Sequence, residues 1–475
     1  MTLDVAASAA TGPSPLTVTG TSGGTTQTAT LSLQVTAPTN TSCTRYVSPN
    51  GSDQNPGSQD LPWASLQHAA DNVQAGDVVC LAAATYDLGG ELSLTRSGAA
   101  SQPITFTTLA DTVTLQGPVN FAQGASHLRL HGFTVTGFDV WGITLSGDNQ
   151  DIILSGLNVS GGEASLHLTV GNSGEDPQEG PVNDITVRDS TFHDNIYTVV
   201  DCTPGPCNDV EFQRLEIYGA GLGGTASFGS DGLAIERGRN ILVEDCYIHD
   251  NSGDGIDLNS RDLLLGDDAG QVIVRRNRVA NNLRNGIKLW RGGEMTNNLV
   301  WNMGDTLLVL EQGSSYTVTN NTFANLDGQN YLATIGYDPR PGSTAATLFN
   351  NIFYNDDPDM GGTTLFVSDA VDLTAGHNLF YNPFRQEDVI CLGESVCFND
   401  TQINDGSSLP QAGFGVQNRY ADPLFVASAS GDFHLSGTSP ARDAGNISYA
   451  PNHDLEQSPR PIGPAPDIGA YELNN

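Results

Sequence analysis

An asparagine-rich heptapeptide recurs along the chain, and this repeat restricts the fold more than any other feature. The near copies are "TNNLVWN" (Thr296–Asn302), "TNNTFAN" (Thr319–Asn325) and "FNNIFYN" (Phe349–Asn355), and "RRNRVAN" (Arg275–Asn281) and "EDCYIHD" (Glu244–Asp250) continue the series upstream. Successive copies are roughly 20 to 31 residues apart. Such uneven spacing is typical of a coil of short strands joined by variable loops, and it disfavours a helical repeat of fixed length.

The segments around these repeats predict strands. Runs such as "ILVEDCYI" and "VIVRRNRV" are rich in β-branched residues, are punctuated by Gly, Asn and Asp, and lack a sustained helical period. A parallel β-helix accounts for both features, because its strands stack on the coils above and below at about 4.8 Å and place like residues in ladders. We therefore predict an all-β chain built as a parallel β-helix.

Two flanking segments set the predicted domain boundaries. "PWASLQHAADNV" (Pro62–Val73) has apolar residues at helical spacing and is predicted to cap the N-terminal end of the coil, since a solenoid needs its end rungs covered. The stretch before it alternates like strands and resembles the last strands of a bacterial immunoglobulin-like repeat. The prediction is a partial immunoglobulin-like segment and linker over residues 1–40, followed by a β-helix catalytic domain over 41–475.

The charge of the chain restricts its partners. Its 475 residues carry a net charge of −35 and contain no apolar run of membrane-spanning length. This acid excess argues against nucleic acid as a partner, because no basic stripe is available for phosphates, and it favours cations. We expect a soluble monomer with no membrane contact. The start "MTLDVAASAA" lacks the features of a secretion signal, so either a leader has been removed or, as we prefer, this is part of a longer multidomain protein.

The seven cysteines indicate an oxidising compartment, so we expect a secreted or cell-surface protein. Cys202 with Cys207, and Cys391 with Cys397, bracket short loops that a disulfide would close, and Cys43 with Cys80 would form a third pair. No zinc-like spacing of Cys and His is present in the sequence. Cys246 is left over, and the apolar strand around it predicts a buried, unreactive thiol.

Two further motifs share one register on the predicted coil. "SGDGIDLNS" (Ser252–Ser260) is followed one coil later by "RNGIKLW" (Arg284–Trp290). Eight residues separate Ile248 from Ile256, and eight separate Val279 from Ile287, which places Asp257 beneath Lys288 and Asp254 beneath Asn285. One coil earlier, "SDGLAIE" (Ser230–Glu236) stacks Asp231 on Asp254 and Glu236 on Asn259. Alternation points Asp257 outward.

Carboxylates stacked in this way repel one another unless a cation lies among them, and calcium, which takes several oxygen ligands, is the natural candidate. The chain has a single lysine, Lys288, against eighteen arginines. A guanidinium cannot act as a base near neutral pH, whereas an ammonium can lose its proton. A neighbouring metal ion would lower the pKa of Lys288, and an unscreened Asp257 would raise it.

These residues resemble polysaccharide lyase family nine, the pectate lyases and relatives built on a right-handed parallel β-helix. The resemblance rests on "DGID" followed one coil later by "NGIK", and more broadly on "YVSPNGSDQNPGSQDLPWASLQHAADNVQAGDVVCLAAATY" near the N-terminus. It implies that Asp254 and Asp257 bind calcium and that Lys288 removes a proton from a uronate, with Asp231 matched more loosely. The family pattern has a further aspartate where this chain has Gly253.

The resemblance implies a secreted enzyme that cleaves a pectate-like uronate polysaccharide by calcium-assisted β-elimination. The proton on C5 of a uronate lies next to a carboxylate, and calcium bound there stabilises the negative charge that builds as the proton leaves. Because Gly253 replaces a family aspartate, the calcium site is expected to be weaker, to be completed by Glu236 or Asn259, or to be absent. Arg291 is assigned to the catalytic centre beside Lys288, and three neighbours are assigned to substrate binding: Trp290, which either stacks on a sugar ring or packs beneath a loop, Arg284 and Asn285.

Other polar residues carry weaker expectations. Asp201 is placed either on the ladder of Asp257 or, preferably, in a turn beside Cys202. Asp267 and Asp268 are expected to be solvated loop acids rather than a second calcium site. His193 and His249 occupy similar coil positions, as neighbours on the surface.

Two other classes of function remain open from the sequence. A glycoside hydrolase on the same fold would use paired carboxylates, for which Asp254 and Asp257 are available, with no obligate metal. A non-catalytic carbohydrate-binding or adhesin β-helix would leave Asp257 and Lys288 as a surface ion pair that contributes little stability.

Overall fold

The computed structural model of the chain describes residues 42–109, 113–168, 180–221, 230–259, 270–311, 313–327, 331–336, 343–406, 413–415 and 417–474, together with the backbone of two strands within 12–35. The chain divides into two compact units, Met1–Thr44 and Arg45–Asn475. In the first unit, strands β1 (Gly12–Ser22) and β2 (Thr25–Val35) pair antiparallel. The rest of the predicted immunoglobulin-like segment lies outside the described residues, so its character stays a prediction.

The second unit is a right-handed parallel β-solenoid, which confirms the predicted fold. Almost every coil contributes three short strands, and each strand pairs in parallel with its counterpart on the next coil. The elements of the first half are β3 (Arg45–Val47), α1 (Leu66–Asn72), β4 (Val78–Leu81), β5 (Ala84–Asp87), β6 (Leu92–Leu94), β7 (Ile104–Thr108), β8 (Val113–Gln116), β9 (Val119–Phe121), β10 (Ser126–His131), β11 (Thr134–Thr136), β12 (Trp141–Leu145), β13 (Gln150–Ser155), β14 (Asn158–Ser160), β15 (Ala164–Leu168), β16 (Val182–Asn195), β17 (Val200–Cys202), β18 (Cys207–Ala220), β19 (Leu233–Ile235), β20 (Gly238–Glu244) and β21 (Tyr247–His249).

The second half continues the solenoid and ends in a segment with little regular structure. Its elements are β22 (Ile256–Leu258), β23 (Val272–Arg275), β24 (Arg278–Ala280), β25 (Ile287–Leu289), β26 (Gly293–Thr296), β27 (Leu299–Trp301), β28 (Leu308–Leu310), β29 (Ser315–Thr319), β30 (Thr322–Asn325), β31 (Ala333–Ile335), β32 (Thr344–Phe349), β33 (Ile352–Asn355), β34 (Leu365–Val367), β35 (Val371–Gly376), β36 (Leu379–Tyr381), β37 (Ile390–Leu392), β38 (Val396–Phe398), α2 (Asp400–Asp405), β39 (Arg419–Tyr420), β40 (Phe425–Ala427), a 3-10 turn (Ser428–Ser430) and β41 (Asp432–Leu435).

One face of the solenoid, here called face A, is a separate sheet that runs almost the whole length of the coil. It consists of β6, β9, β12, β15, β17, β19, β22, β25, β28, β31, β34 and β37 in parallel order, closed by the antiparallel β38. The strands of the longest sheet form two further faces, which the 14-residue strands β16 and β18 join. Because side chains alternate along each strand, residues such as Ile256 and Leu258 fill the interior.

A ladder of buried asparagines connects successive coils from within. The Oδ1 atom of each asparagine accepts hydrogen bonds from the main-chain N–H and the Nδ2 of the asparagine one coil earlier, at 2.8–3.1 Å. Every buried amide in the ladder therefore has partners, as burial of polar groups requires. The members are Asn277, Asn298, Asn321, Asn351, Asn378 and Asn418.

Cys246 occupies the coil position before this ladder. Its main-chain N–H donates to Asn277 Oδ1 at 3.0 Å, so a thiol stands where the later coils have an amide. Burial raises the pKa of this thiol to about 12, and the predicted buried free cysteine is confirmed. The disulfides Cys202–Cys207 and Cys391–Cys397 are confirmed as well, and Cys43 and Cys80 are also disulfide-bonded.

The predicted N-terminal cap segment contains helix α1. Ser65 caps this helix by accepting a hydrogen bond from the His68 N–H, and Leu66, Ala69 and Ala70 join the main apolar core. Within the described residues, none of the helices has the length and apolar character needed to cross a membrane.

Candidate active site

Face A brings the two motifs together in the predicted register. Strands β22 and β25 pair in parallel with Asp257 opposite Lys288. Lys288 Nζ lies 3.1 Å from Asp254 Oδ2 and 3.8 Å from Asp257 Oδ2. Asp257 lies between the core residues Ile256 and Leu258, so alternation directs its side chain outward. Even so, Asp257 is only 9% exposed. The pair of Asp257 and Lys288 is therefore nearly buried, and not the exposed surface pair expected for a non-catalytic β-helix. Charges interact more strongly in such surroundings than at an exposed surface.

The turn leading into face A holds a second ladder, which we call the turn ladder. The main-chain N–H of each member donates to the side-chain oxygen of the member one coil earlier: Asp254 to Asp231 Oδ1 at 2.7 Å, and Asn285 to Asp254 Oδ1 at 2.8 Å. Thr198 accepts from the Asp231 N–H at 3.3 Å, and the Thr306 N–H donates to Asn285 Oδ1 at 3.3 Å. One oxygen of each aspartate therefore holds adjacent coils together.

Sequence reasoning did not identify Thr198 and Thr306 as part of this arrangement. The signal was present, because every member of the turn ladder stands two residues before a strand of face A. A search for hydroxyl, amide or carboxylate side chains at that offset would have found both threonines.

Trp290 belongs to the same network of charges. Its indole N–H donates to Asp257 Oδ1 at 2.5 Å, and Lys288 Nζ lies 4.8 Å from the centre of its ring. A cation at that distance from an indole is stabilised by the ring. Trp290 thus holds the lysine and the aspartate in place from one side, and its stacking on a sugar remains a prediction.

The crowding of carboxylates shifts the pKa values of the site. Burial, followed by the Asp254 charge, raises the pKa of Asp257 to about 6, although Lys288 opposes this shift. Burial and the charges of Asp254 and Asp257 raise the pKa of Asp231 well above its usual value. Burial lowers the pKa of Lys288, but Asp257 and Asp254 outweigh it, so the net shift is upward. Without a metal ion, the lysine is therefore an ammonium at neutral pH, as expected for an unscreened Asp257.

This crowding predicts that the calcium-free protein loses stability as the pH rises. Asp257 binds its proton more tightly in the folded state, with a pKa of about 6, than in the unfolded state, at about 3.9. Its contribution is fully present below pH ~4 and is lost as the pH rises through about 6, which amounts to at most ~3 kcal/mol. Urea unfolding in chelator at pH 4.5, 5.5, 6.5 and 7.5 should show this slope, and Asp257→Asn should flatten it. Equal slopes in the two proteins would contradict the assignment.

The donor set suits calcium in its chemistry. The side chains are carboxylates with an excess of negative charge, and the second oxygens of Asp254 and Asp257 both face the ammonium of Lys288. The oxygens are not gathered in advance, however: no three of the four predicted acidic ligands, all of them described, bring carboxylate oxygens within 4.8 Å of one another. The one such cluster in the described part of the chain is Asp388 with Cys391 and Cys397, whose sulfurs are joined in a disulfide.

The packing around Gly253 accounts for a glycine where the family pattern has an aspartate. A Cβ atom at this position would lie 2.3 Å from Asp231 Oδ1 and 2.7 Å from the Ser230 carbonyl oxygen. The Asp231 carboxylate therefore occupies the space into which a side chain at position 253 would project. The hypothesis that follows is that Asp231, from the preceding coil, replaces the family aspartate.

The other predicted site residues lie around this centre. Glu236, just after β19, raises the pKa of Asp257 by its charge, less than Asp254 does. Asn285 donates its Nδ2 to Asp254 Oδ1 at 2.8 Å, so both ends of its amide are engaged within the protein. Arg284 precedes β25 and Arg291 follows it, so the two arginines flank the strand that carries Lys288.

Several weaker expectations are also resolved. Asp201 lies in strand β17, where it pairs with Ala234 of the next coil, and Ala234 pairs in turn with Asp257. Asp201 is therefore on the ladder of Asp257, and its predicted placement in a turn was wrong. His193 and His249 are not neighbours, because Tyr218 stacks between them on the intervening coil. Asp267 and Asp268 lie outside the described residues.

Known proteins resemble this chain in sequence and fold. Residues 45–196 match the model of the Pel9A-like, right handed beta helix region, and residues 123–323 match that of the right handed beta helix region. Pectate lyase L of Dickeya dadantii (strain 3937) is 23% identical over 438 residues, covering 90% of each chain. The crystal structure of pectate lyase Pel9A superposes with a TM-score of 0.52 at 17% identity, covering 92% of this chain and 98% of that one. These matches support a right-handed β-helix similar to that of the pectate lyases.

Another relative of this β-helix protein is the uncharacterized protein YwoF of Bacillus subtilis (strain 168), which is 24% identical over 463 residues and covers 84% of this chain and 92% of its own. The Pel9A-like match ends before Asp231, and only the general β-helix match extends over Lys288. The roles of the individual site residues therefore depend on the geometry of face A and on the "DGID" and "NGIK" motifs.

Proposed function

We propose that this β-helix protein is a polysaccharide lyase that acts outside the cell on a uronate-containing polysaccharide, with Lys288 as the base. The observation that supports this most directly is the position of the only lysine. Its ammonium group lies among the carboxylates of Asp254 and Asp257 and against the Trp290 ring, with 19% of the lysine side chain exposed. Both oxygens of Asp254 accept hydrogen bonds, from Asn285 and Lys288, which suits a positioning role better than that of a hydrolytic acid or nucleophile.

In the proposed reaction, the Lys288 amine takes the proton from C5 of a uronate. The electron pair of the C5–H bond forms a C4=C5 double bond, the glycosidic C4–O bond breaks, and the departing oxygen takes a proton from water. Lys288 must first be neutral, so its carboxylate neighbours must be balanced by another positive charge. Calcium held by Asp231, Asp254, Asp257 and Glu236 would supply that charge and polarise the carboxylate of the uronate.

The chain's own residues supply the rest. Asp254 and Trp290 fix the position of the Lys288 side chain, which keeps the base in one place as a uronate binds. Arg284 and Arg291, at the two ends of β25, offer positive charge to the carboxylates of neighbouring sugar residues. This local positive charge would favour a polyanion near Lys288, although the chain as a whole carries a net charge of −35.

Ultraviolet absorbance of unsaturated uronates is the measurement that tests the proposal. Polygalacturonate, alginate and glucuronate-containing glycans are incubated with the protein in calcium, or in chelator. We expect absorbance to rise on at least one polymer and to fall by ~100-fold in chelator, since a metal charge is worth several kcal/mol in such a reaction. Release of reducing ends with no absorbance would instead indicate a hydrolase, and no product from any polymer would indicate a binding protein.

A further inference from the structure

A cleft opens at the corner of the solenoid that carries the turn ladder, several coils nearer the N-terminus than Lys288. It has a volume of about 560 Å³, and its walls come from the same turn on three successive coils. Those turns connect β5 to β6, β8 to β9 and β11 to β12. In the coil of Lys288, the equivalent turn holds Arg284 and Asn285. The cleft and the candidate active site therefore lie along one edge of face A.

Trp141 forms an aromatic wall of the cleft and is held in a fixed orientation. Its ring stacks on His167 with centroids 4.3 Å apart and planes 4° apart, and His167 is only 4% exposed. His167 belongs to the coil that follows Trp141, whereas the other lining residues come from the coil of Trp141 and the two before it. The cleft therefore meets the side of the indole that faces away from His167. A preoriented aromatic face beside hydrogen-bonding groups is a typical surface for a sugar ring.

The charge of the cleft differs from that of the Lys288 coil. Three carboxylates line it, those of Asp87, Glu91 and Asp139, and none of its lining residues, all described, is Lys, Arg or His. Carboxylates accept hydrogen bonds from sugar hydroxyls, and such charge-assisted bonds are strong. They also repel an anionic sugar. A cleft of this kind favours an uncharged glycosyl residue and discriminates against a uronate.

One ladder of face A connects the cleft to the candidate base. Thr144, which lines the cleft, is followed on successive coils by His167, Asp201, Ala234, Asp257 and Lys288. At about 4.8 Å per coil, these five steps span ~24 Å. A single oligosaccharide of several residues is long enough to reach both places.

We propose that this cleft binds an uncharged glycosyl residue of the substrate, so that the polymer is a heteroglycan carrying both neutral sugars and uronates. The inference depends on the proposed lyase function for the identity of the polymer, while binding of a neutral sugar in the cleft stands independently. Trp141 supplies the stacking face, and the three carboxylates select against charge.

Calorimetric titration of the whole protein in chelator tests the proposal, with galactotetraose, arabinotetraose and xylotetraose as neutral probes and tetragalacturonate as the acidic one. We expect at least one neutral probe to bind at least ~10-fold more tightly than tetragalacturonate, and Trp141→Ala to weaken that probe by ~10-fold or more, while Trp141→Phe, which keeps a ring, changes it by less than ~3-fold. No binding of any neutral probe, tighter binding of tetragalacturonate, or no effect of Trp141→Ala would overturn the proposal.

Two further variants separate the possible failures. Lys288→Ala should lose elimination and leave neutral binding unchanged. An unaltered protein that binds a neutral probe but eliminates no uronate would count against the lyase alone. Asp139 is exposed, so Asp139→Lys avoids the risk that the alanine variant at Trp141 fails to fold. It should raise the affinity for tetragalacturonate by ~3-fold or more through charge, and an unchanged affinity would contradict the selective role of the carboxylates.

Discussion

Replacing Lys288 with alanine is expected to lower the rate of uronate elimination by ~10³-fold, the usual loss when a positioned general base is removed. The substitution also leaves Asp254 and Asp257 without their cation at 3.1 and 3.8 Å. Because these carboxylates are almost buried, we expect the alanine variant to be less stable by ~3 kcal/mol in chelator. Absorbance assays and urea unfolding measure the two effects separately.

Lys288→Arg separates catalysis from charge. An arginine retains the positive charge beside the carboxylates but does not lose its proton in the working pH range. We expect this variant to keep most of the stability and still lose ~10³-fold in rate. Arg278→Ala serves as the control, since Arg278 pairs with Glu456 at 3.0 Å on another face, with 39% and 45% of the two side chains exposed. Its effect should stay within ~0.5 kcal/mol and twofold in rate. An arginine variant with near-normal activity would remove Lys288 from the role of base.

Restoring the family aspartate at position 253 is expected to damage this protein. In Gly253→Asp, the new Cβ would meet Asp231 Oδ1 at 2.3 Å and the Ser230 carbonyl oxygen at 2.7 Å, and it would add a fourth carboxylate beside Asp231, Asp254 and Asp257. We expect the free energy of unfolding to fall by ~3 kcal/mol from overpacking, and elimination to fall at least ~10-fold because Asp231 is displaced.

The matched control for this substitution is Gly437→Asp. A Cβ at Gly437 meets no heavy atom within 4 Å, so the same chemical change there should alter stability by ~0.5 kcal/mol or less. Urea unfolding and the absorbance assay compare the two variants. Higher activity in Gly253→Asp would mean that the calcium site lacks a ligand and that Asp231 does not replace the family residue.

The parts of the site that could be predicted from the sequence are those that follow from counting residues between equivalent positions on successive coils. Equal spacing in the "DGID" and "NGIK" coils was sufficient to place Asp257 against Lys288, because strands in a parallel solenoid stack residue on residue. The same counting carried Asp231 onto Asp254. The parallel β-helix itself followed from the asparagine repeats, whose amides form the internal ladder.

Features that depend on side-chain direction were not accessible in this way. Alternation placed Asp257 outward, but its near-complete burial results from the packing of Trp290 and Lys288, which a pattern of residue types does not specify. The separation of His193 from His249 depended on the number of coils between them, and Tyr218 shows that one coil was missed. Thr198 differs from these two cases, because it stands at a countable offset of two residues before β17 and was missed only because hydroxyl side chains at that offset were not considered.

The turn ladder also decides how an inactive form of this protein should be made. One oxygen of Asp254 accepts a hydrogen bond from the main chain of the next coil, and the other accepts one from Lys288. Truncation to alanine therefore removes a hydrogen bond between coils together with the contact to the proposed base. Asp254→Asn retains an oxygen for the N–H of Asn285 while removing the negative charge. Asp254→Asn is therefore the variant to use for crystallography of an uncleaved oligosaccharide on face A, because it retains the hydrogen bond between these coils.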